Sequence, residues 1–381
     1  MNSPPHEWLS LKFGTYYSTC LVKPSIREIS KREFGFGGWE KKIEFRHMQF
    51  PNEAEFVKQL VQDRPLYVSC SAAYYEMPAA RPMQKKNWLG ADLIFDLDAE
   101  AHSCAPFTCE ECFAKIKMQT QRLIEEFLMP DFGLSEKDVQ INFSGSRGYH
   151  VRVFKEEFFP LGREERREIV DYIQGTGLEY SSLFHEEDRS ITIGERASHF
   201  KMLSGPTPTQ GGYRGKFARE AAKIISVPEK AGAISPKLRH PENAQKFLKG
   251  MEEGDWSRVP ITKRDEKFRG IFESLRVRLS DQVDANVTCD TSKILRVPDS
   301  IHGGSGMLAK TIKLSQLEKF DPTADALAFP SSKMEKVRFL QAIPSIAWNG
   351  ETTNEHRAGA AMELPEGLAV YLVAKKAAEP A

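Results

Sequence analysis

Two aspartates one residue apart, Asp96 and Asp98, end the run Leu-Gly-Ala-Asp-Leu-Ile-Phe-Asp-Leu-Asp over residues 89–98. The run reads as a buried strand. Successive side chains on a strand leave on opposite faces, so Asp96 and Asp98 project together while Leu93, Phe95 and Leu97 enter a core. Two carboxylates fixed side by side repel each other unless a cation lies between them. Hard divalent ions such as Mg²⁺ are held by one or two carboxylates plus substrate phosphate oxygens. The chemistry implied is metal-dependent phosphoryl or nucleotidyl transfer. The triplet alone also describes a strand end with two solvated acids, so its surroundings must decide.

Two further stretches carry groups suited to anions. Residues 140–143 and 149–154 alternate like the arms of a hairpin, joined by Ser144-Gly145-Ser146-Arg147-Gly148. Glycines let backbone N–H groups approach an anion, and Arg147 and His150 add donors for a triphosphate. The tip is not a Walker A loop, because the Gly-Lys-Ser/Thr ending is absent. Later, Val283-Asp284-Ala285-Asn286-Val287 alternates again. It offers Asp284 as a third strand-borne carboxylate, with Asp290 as a nearby rival. Arg296 and His302 then flank the glycine turn Gly303-Gly304-Ser305-Gly306. An ordinary hairpin with a surface arginine accounts for either stretch singly. Two such pockets with three acids are harder to set aside.

A different chemistry lies between these stretches. His102, Cys104, Cys109 and Cys112 fall within eleven positions. Three thiols and an imidazole are the set that a closed, structural Zn²⁺ site takes. The fourth ligand, His102, is less secure than the three thiolates.

The elements that must position these groups follow from periodicity. Residues 53–62 and 163–173 are expected to be helices, and residues 115–129 also have helical spacing. Residues 66–70 are expected to be a strand. The region from about 160 to 275 is rich in lysine and arginine and reads as a mostly helical insertion. Its basic face either meets template or is simply solvated. The apolar run 367–373 should pack onto the core, and residues 375–381 are expected to be a disordered tail. With 381 residues, 40% hydrophobic and 28% charged, the composition is that of a globular protein. No apolar run approaches the ~20 residues of a membrane span, and Met-Asn-Ser-Pro-Pro-His-Glu is not an export signal. The expectation is a cytoplasmic protein without a membrane partner. A formal net charge of zero means that any surface for nucleic acid is local.

Taken in order, these stretches resemble the small, catalytic subunit of archaeal and eukaryotic DNA primases over about residues 10–375. The likeness rests on Asp96-Leu97-Asp98, the Cys/His cluster, Ser144 through His150, and Val283-Asp284 followed by Arg296 through Gly303. Arg32-Glu33-Phe34 and Phe320-Asp321-Pro322 also fit. The resemblance implies an α+β fold, with a mixed or antiparallel-sheet catalytic core, a helical insertion subdomain and a small zinc-binding motif. The core would occupy 1–174, with the zinc motif at 102–112, and resume over 275–374. The insertion would take 175–274, leaving the 375–381 tail.

By position, Asp96, Asp98 and Asp284 would bind two Mg²⁺ or Mn²⁺ ions, the spacing to His302 favouring Asp284 over Asp290. Ser144, Arg147, His150, Arg296 and His302 would contact the triphosphate. Gly304 stands where a lysine is common in the family's His-Gly-Lys-Thr-Gly turn, which weakens one phosphate contact. The implied activity is synthesis of short RNA or DNA primers from NTPs or dNTPs on single-stranded DNA, in replication, in an archaeal cytoplasm. The implied partner is a large primase subunit carrying an iron–sulfur cluster. Other readings are a repair primase-polymerase of the same superfamily, a metal-dependent nuclease, or a non-catalytic nucleic-acid scaffold.

Overall fold

Alternating apolar residues build two four-stranded antiparallel sheets, and these carry nearly everything of chemical interest. The computed structural model describes residues 4–19, 26–99, 107, 110–193, 196–259, 261, 263–280 and 283–381. In the first sheet the order is Ile294–Arg296, Tyr67–Ser71, Phe34–Gly37, Phe45–Met48. In the second it is Thr311–Ile312, Val139–Phe143, Gly148–Val153, Leu93–Asp98. Every pairing in both is antiparallel. The acid-bearing strand is thus an edge strand of one sheet, and Arg296 ends an edge strand of the other.

Helix Glu53–Asp63 covers the first sheet. Asn52 starts it, its side chain accepting from the Glu55 amide at 3.0 Å, which satisfies one of the helix's orphan donors. Its Phe56 packs 5.0 Å from the Phe34 ring and 5.2 Å from that of Phe50. Towards the C-terminus, helix Glu366–Ala374 is buried at all nine positions. This is the expected fate of the 367–373 apolar run, since a helix apolar all round belongs in a core.

The chain divides into two compact units. The first comprises Met1–Arg122, Leu134–Glu168 and Gln282–Ala381, and the second Leu123–Gly133 and Ile169–Asp281. Within the second, helices Gly212–Ile225, Pro241–Glu252 and Arg264–Ser280 enclose an aromatic core of Phe217, Phe247, Trp256, Phe268 and Phe272. That unit also holds a long hairpin, His185–Ile193 paired with Arg196–Ser204, which its run of charged residues conceals from a sequence reading.

Two local expectations are corrected. Residues 283–287 are not a strand. Val283 makes a single bridge to Leu97, and Asp284 then caps the short helix Ala285–Cys289. The supposed disordered tail is ordered: Ala378–Pro380 pairs with Met334–Phe339, and Ala377 and Ala378 are buried. Backbone hydrogen bonds to an open sheet edge order this alanine-rich segment, which has no side-chain pattern of its own. Among the described residues, no helix is long and apolar enough to cross a membrane.

Candidate active site

On the acid strand, Asp96 lies opposite His150, and Asp98 lies opposite Gly148. The period-2 rule therefore holds, and both carboxylates leave on one face with His150 beside them. Gly148 has to be glycine. A Cβ there would overlap the Asp98 carboxylate and the Leu97 carbonyl. The hairpin tip before it is held from inside: Ser144 Oγ accepts from the Gly148 amide at 3.1 Å and from the Ser146 amide at 3.4 Å.

Asp284 reaches the acid strand through its backbone, its amide donating to the Asp96 carbonyl at 3.0 Å. One of its carboxylate oxygens accepts from the Asn286 amide at 2.8 Å. The rival Asp290 is occupied in its own turn, accepting from the Ser292 amide at 2.9 Å and the Ser292 hydroxyl at 2.7 Å.

The loop after Arg296 is folded tightly by short-range bonds. Asp299 adopts left-handed backbone, φ 62°. Its carboxylate receives the Thr311 amide at 3.1 Å and the Thr311 hydroxyl at 2.9 Å. Tyr17 OH accepts from the Ile301 amide at 3.2 Å. His302 is then fixed in one tautomer: the Gly304 amide donates to Nδ1 at 3.1 Å, so the ring proton sits on Nε2. The two glycine turns pack on each other. A Cβ on Gly145, where φ is +80°, would stand 2.7 Å from His302 Cβ, and Ser305 Oγ donates to the Gly145 carbonyl.

These elements enclose a cavity of about 440 Å³ lined by Asp96, Asp98, Ser144, Arg147, His150, Arg296 and His302. Seven of the eight residues expected to bind metal or triphosphate therefore line one space. Asp284 is the exception; it is exposed, is tied beside Asp96 through its amide, and acts on Asp96 through its charge. Lys42, Ser69 and Lys293 also line the cavity. Sequence reasoning passed over them because each sits in an unremarkable context and reaches the site only through tertiary folding.

The electrostatics of the acids favour a cation. Burial and then the charge of Asp284 push Asp96 up to about 6. Burial and then Asp96 raise Asp98. Asp96 Oδ1 is buried without a hydrogen-bond partner. His150 Nε2 approaches that oxygen at 3.4 Å, but burial and the charge of Arg152 hold the imidazole down to about 3. It is neutral, so the contact is no ion pair. A buried, unpartnered carboxylate oxygen among repelling acids fits a divalent ion with oxygen ligands.

The lining also carries a cation, Arg296. Arg296 packs over the Tyr67 ring at 5.2 Å, and its Nη1 is buried without a partner. Burial lowers that guanidinium to about 10. Burial, with Arg296 second, keeps His302 neutral. Buried donors with nothing to donate to suit a polyanion.

Of the four expected zinc ligands, Cys112 is buried on helix Glu110–Arg122. His102, Cys104 and Cys109 lie outside the described residues.

Comparison with known proteins bears on the same elements. Residues 95–314 match the family described as DNA primase small subunit. The chain is 34% identical to a DNA primase small subunit PriS from Methanosarcina barkeri, over all of this chain and 97% of that one. It is 36% identical to the one from Thermoplasma volcanium, over 84% and 82%. Among solved structures it is similar to the polymerase domain of Mycobacterium tuberculosis Ligase D in complex with DNA. There the identity is 14% and the TM-score 0.35, over 84% and 85% of the two chains, too loose a likeness to bear on fold or site. The family match opens one residue before Asp96 and closes beyond His302. It thus takes in the acid strand and both glycine turns, and the chain belongs to the DNA primase small subunit family.

Proposed function

We propose that this chain is the catalytic subunit of a DNA primase, a nucleotidyltransferase that makes short RNA or DNA primers on a single-stranded DNA template. The observation that carries the reading is a pair of unpartnered groups in one cavity. Asp96 and Arg296 both line it, and Asp96 Oδ1 and Arg296 Nη1 are both buried and unbonded. A metal-bound nucleotide triphosphate satisfies both at once.

Asp96, Asp98 and Asp284 are the residues that would hold divalent ions, Mg²⁺ or Mn²⁺. The amide bond of Asp284 to the Asp96 carbonyl and the charge of Asp284 on Asp96 support Asp284 over Asp290 as the third acid. Bound there, two such ions would lower the pKa of an attacking 3′-hydroxyl and neutralise the leaving pyrophosphate. The chain's own residues do the rest. Arg296 holds the phosphates from a partly buried position, where its charge is less screened than at the surface. His302 donates from Nε2. Arg147 and neutral His150 fix the triphosphate between the acids and the hairpin tip. Ser144 works chiefly by shaping that tip. Two Arg/His pairs beside the acids, Arg147 with His150 and Arg296 with His302, exceed what plain hydrolysis needs, which argues against a nuclease.

In this reading Cys104, Cys109 and Cys112, with His102 as tentative fourth ligand, hold a structural Zn²⁺. A large primase subunit is the partner, and the setting is replication in an archaeal cytoplasm, consistent with archaeal relatives.

The test is synthesis on unprimed single-stranded DNA with labelled NTPs or dNTPs and Mg²⁺ or Mn²⁺, with the large subunit present. Product from the unmodified chain and none from Asp96→Ala/Asp98→Ala is expected. Equal product from both would discard the assignment. Metal analysis should find about one zinc per chain; a folded, zinc-free preparation would remove that part alone.

A further inference from the structure

Two lysines from distant parts of the chain, Lys42 and Lys293, line the space that holds Asp96 and Asp98. Lys42 lies in the turn that joins strands Phe34–Gly37 and Phe45–Met48. That turn is closed tightly. The Gly38 amide donates to the Lys41 carbonyl at 3.0 Å, the Glu44 amide to the Phe36 carbonyl at 2.8 Å, and a Cβ on Gly37 would overlap the Lys42 carbonyl. Lys293 is pinned at both of its peptide groups. Its amide donates to the Asp290 carbonyl at 3.1 Å, and its carbonyl accepts from the Ala72 amide at 2.9 Å.

A glycine brings the two segments together. Ile43 follows Lys42, Ile294 follows Lys293, and both isoleucines reach over Gly35. A Cβ there would stand 2.9 Å from Ile294 Cδ1 and 3.4 Å from Ile43 Cγ2. Both isoleucines line the cavity beside the lysines. Lys293 is half-buried and Lys42 is exposed. Among the described residues neither ammonium has an ion pair or a hydrogen-bond acceptor. Both charges act on Asp96, against the burial that raises it. Lys41, one residue earlier, is exposed and does not line the cavity.

A lone surface lysine is ordinarily just solvated. Two unpaired lysines that separate segments bring to one concave site concentrate anions there. Nucleotidyl transfer has two nucleotide substrates, one bringing the triphosphate and the other the attacking 3′-hydroxyl. Arg147, His150, Arg296 and His302 serve the first. In the second, the anionic group closest to the 3′-hydroxyl is that nucleotide's own 5′-phosphate. We propose that Lys42 and Lys293 bind this 5′-phosphate, whether the attacking nucleotide is a starting nucleotide or the last residue of a growing primer. The assignment rests on the nucleotide reading of the cavity.

The experiment uses the full chain with its large subunit, Mg²⁺ and a single-stranded template that calls for A and then G. Labelled GTP is held at saturation, and the starter is adenosine, AMP or ATP. With the unmodified chain, AMP and ATP should each show a KM at least about tenfold below that of adenosine, the worth of a charge-assisted contact. Lys42→Met/Lys293→Met should lose most of that advantage while the adenosine KM and the calorimetric GTP affinity stay within about twofold. Lys42→Arg/Lys293→Arg should keep the advantage, and Lys41→Met should change nothing. The melting temperature of the double methionine variant should not fall, since neither lysine holds a partner.

An advantage of the phosphate that survives in Lys42→Met/Lys293→Met, or that is absent from the unmodified chain, overturns the lysine assignment alone when Arg296→Met still weakens GTP binding. Undiminished GTP binding in Arg296→Met overturns the nucleotide reading and the assignment with it. Equal losses for adenosine, AMP and ATP mark lysines that shape the site rather than bind a phosphate, and overturn the proposal. So does a GTP affinity that falls with the lysines, which gives them to the incoming triphosphate instead.

Discussion

Asp96 is the residue on which the site turns, and its protonation has a definite sign. The folded chain holds the carboxyl at about 6 against an ordinary 3.8, so the folded state binds the proton more tightly than the unfolded one. Stability from this group is therefore greatest below about pH 3.8, falls as pH rises through about 6, and stays reduced above that. Asp96→Asn removes the effect. The variant should gain on the metal-free parent as pH rises through 6, by about 1–3 kcal/mol at neutral pH, while losing primer synthesis. Saturating Mg²⁺ should stabilise the parent alone. Thermal melts from pH 4 to 8, with and without Mg²⁺, measure this; a gap that does not grow between pH 4 and 6 would show that the folded chain does not hold Asp96 above its ordinary value. At this scale the sequence was informative where a local rule applies. Alternation alone put Asp96 and Asp98 on one face. No local rule led to Lys42 or Lys293, whose place in the cavity depends on how distant segments meet.

A side chain's worth depends on the element that carries it, and glycine shows this well. Gly148 lies where two strands close on the Asp98 carboxylate, and a Cβ there has no room. Gly133 has φ +63° with nothing within 4 Å of a Cβ. Gly148→Ala should therefore cost about 1–3 kcal/mol through overpacking and abolish synthesis by displacing Asp98. Gly133→Ala should cost about 1–2 kcal/mol through backbone strain alone and leave synthesis intact. Denaturant midpoints and primer assays on the pair decide. Similar losses of activity in both would mean that strand closure at Gly148 does not position the acid. The hairpin built on Gly148 was legible because glycines interrupt two alternating runs. Val283-Asp284-Ala285-Asn286-Val287 misled, because it satisfies a period of two although Asp284 is a helix cap. A capping aspartate and a strand aspartate look alike over so few residues.

At the scale of the whole first unit, the two sheets are joined by a buried polar hub that no sequence pattern announces. Asp92, just before the acid strand, is fully buried. It accepts from Arg32 at 2.6 Å and from the Tyr74 hydroxyl at 2.7 Å, and Arg152 stands 3.8 Å away. Arg32 also donates to the Ser71 and Ala72 carbonyls at the end of a first-sheet strand. One carboxylate thus ties the first sheet to the start of the strand that bears Asp96. The partners are far apart in sequence, so periodicity and spacing are silent about them. The resemblance that picked out Arg32 gave it no task. Asp92→Ala would leave Arg32 and Arg152 buried without their anion, a loss of about 3–5 kcal/mol. Asp92→Asn keeps an acceptor for Arg32 and should cost about 1–3 kcal/mol. Because the hub sits at the root of the acid strand, Asp92→Asn should also weaken Mg²⁺ binding in the folded protein, although Asp92 touches no part of the cavity. Urea unfolding and Mg²⁺ titration of the two variants measure both effects. If Asp92→Ala costs no more than Asp92→Asn, the hub fills space rather than compensating charge. If Mg²⁺ affinity is unmoved in Asp92→Asn, the acid strand is positioned by its pairing with Gly148–Val153 alone.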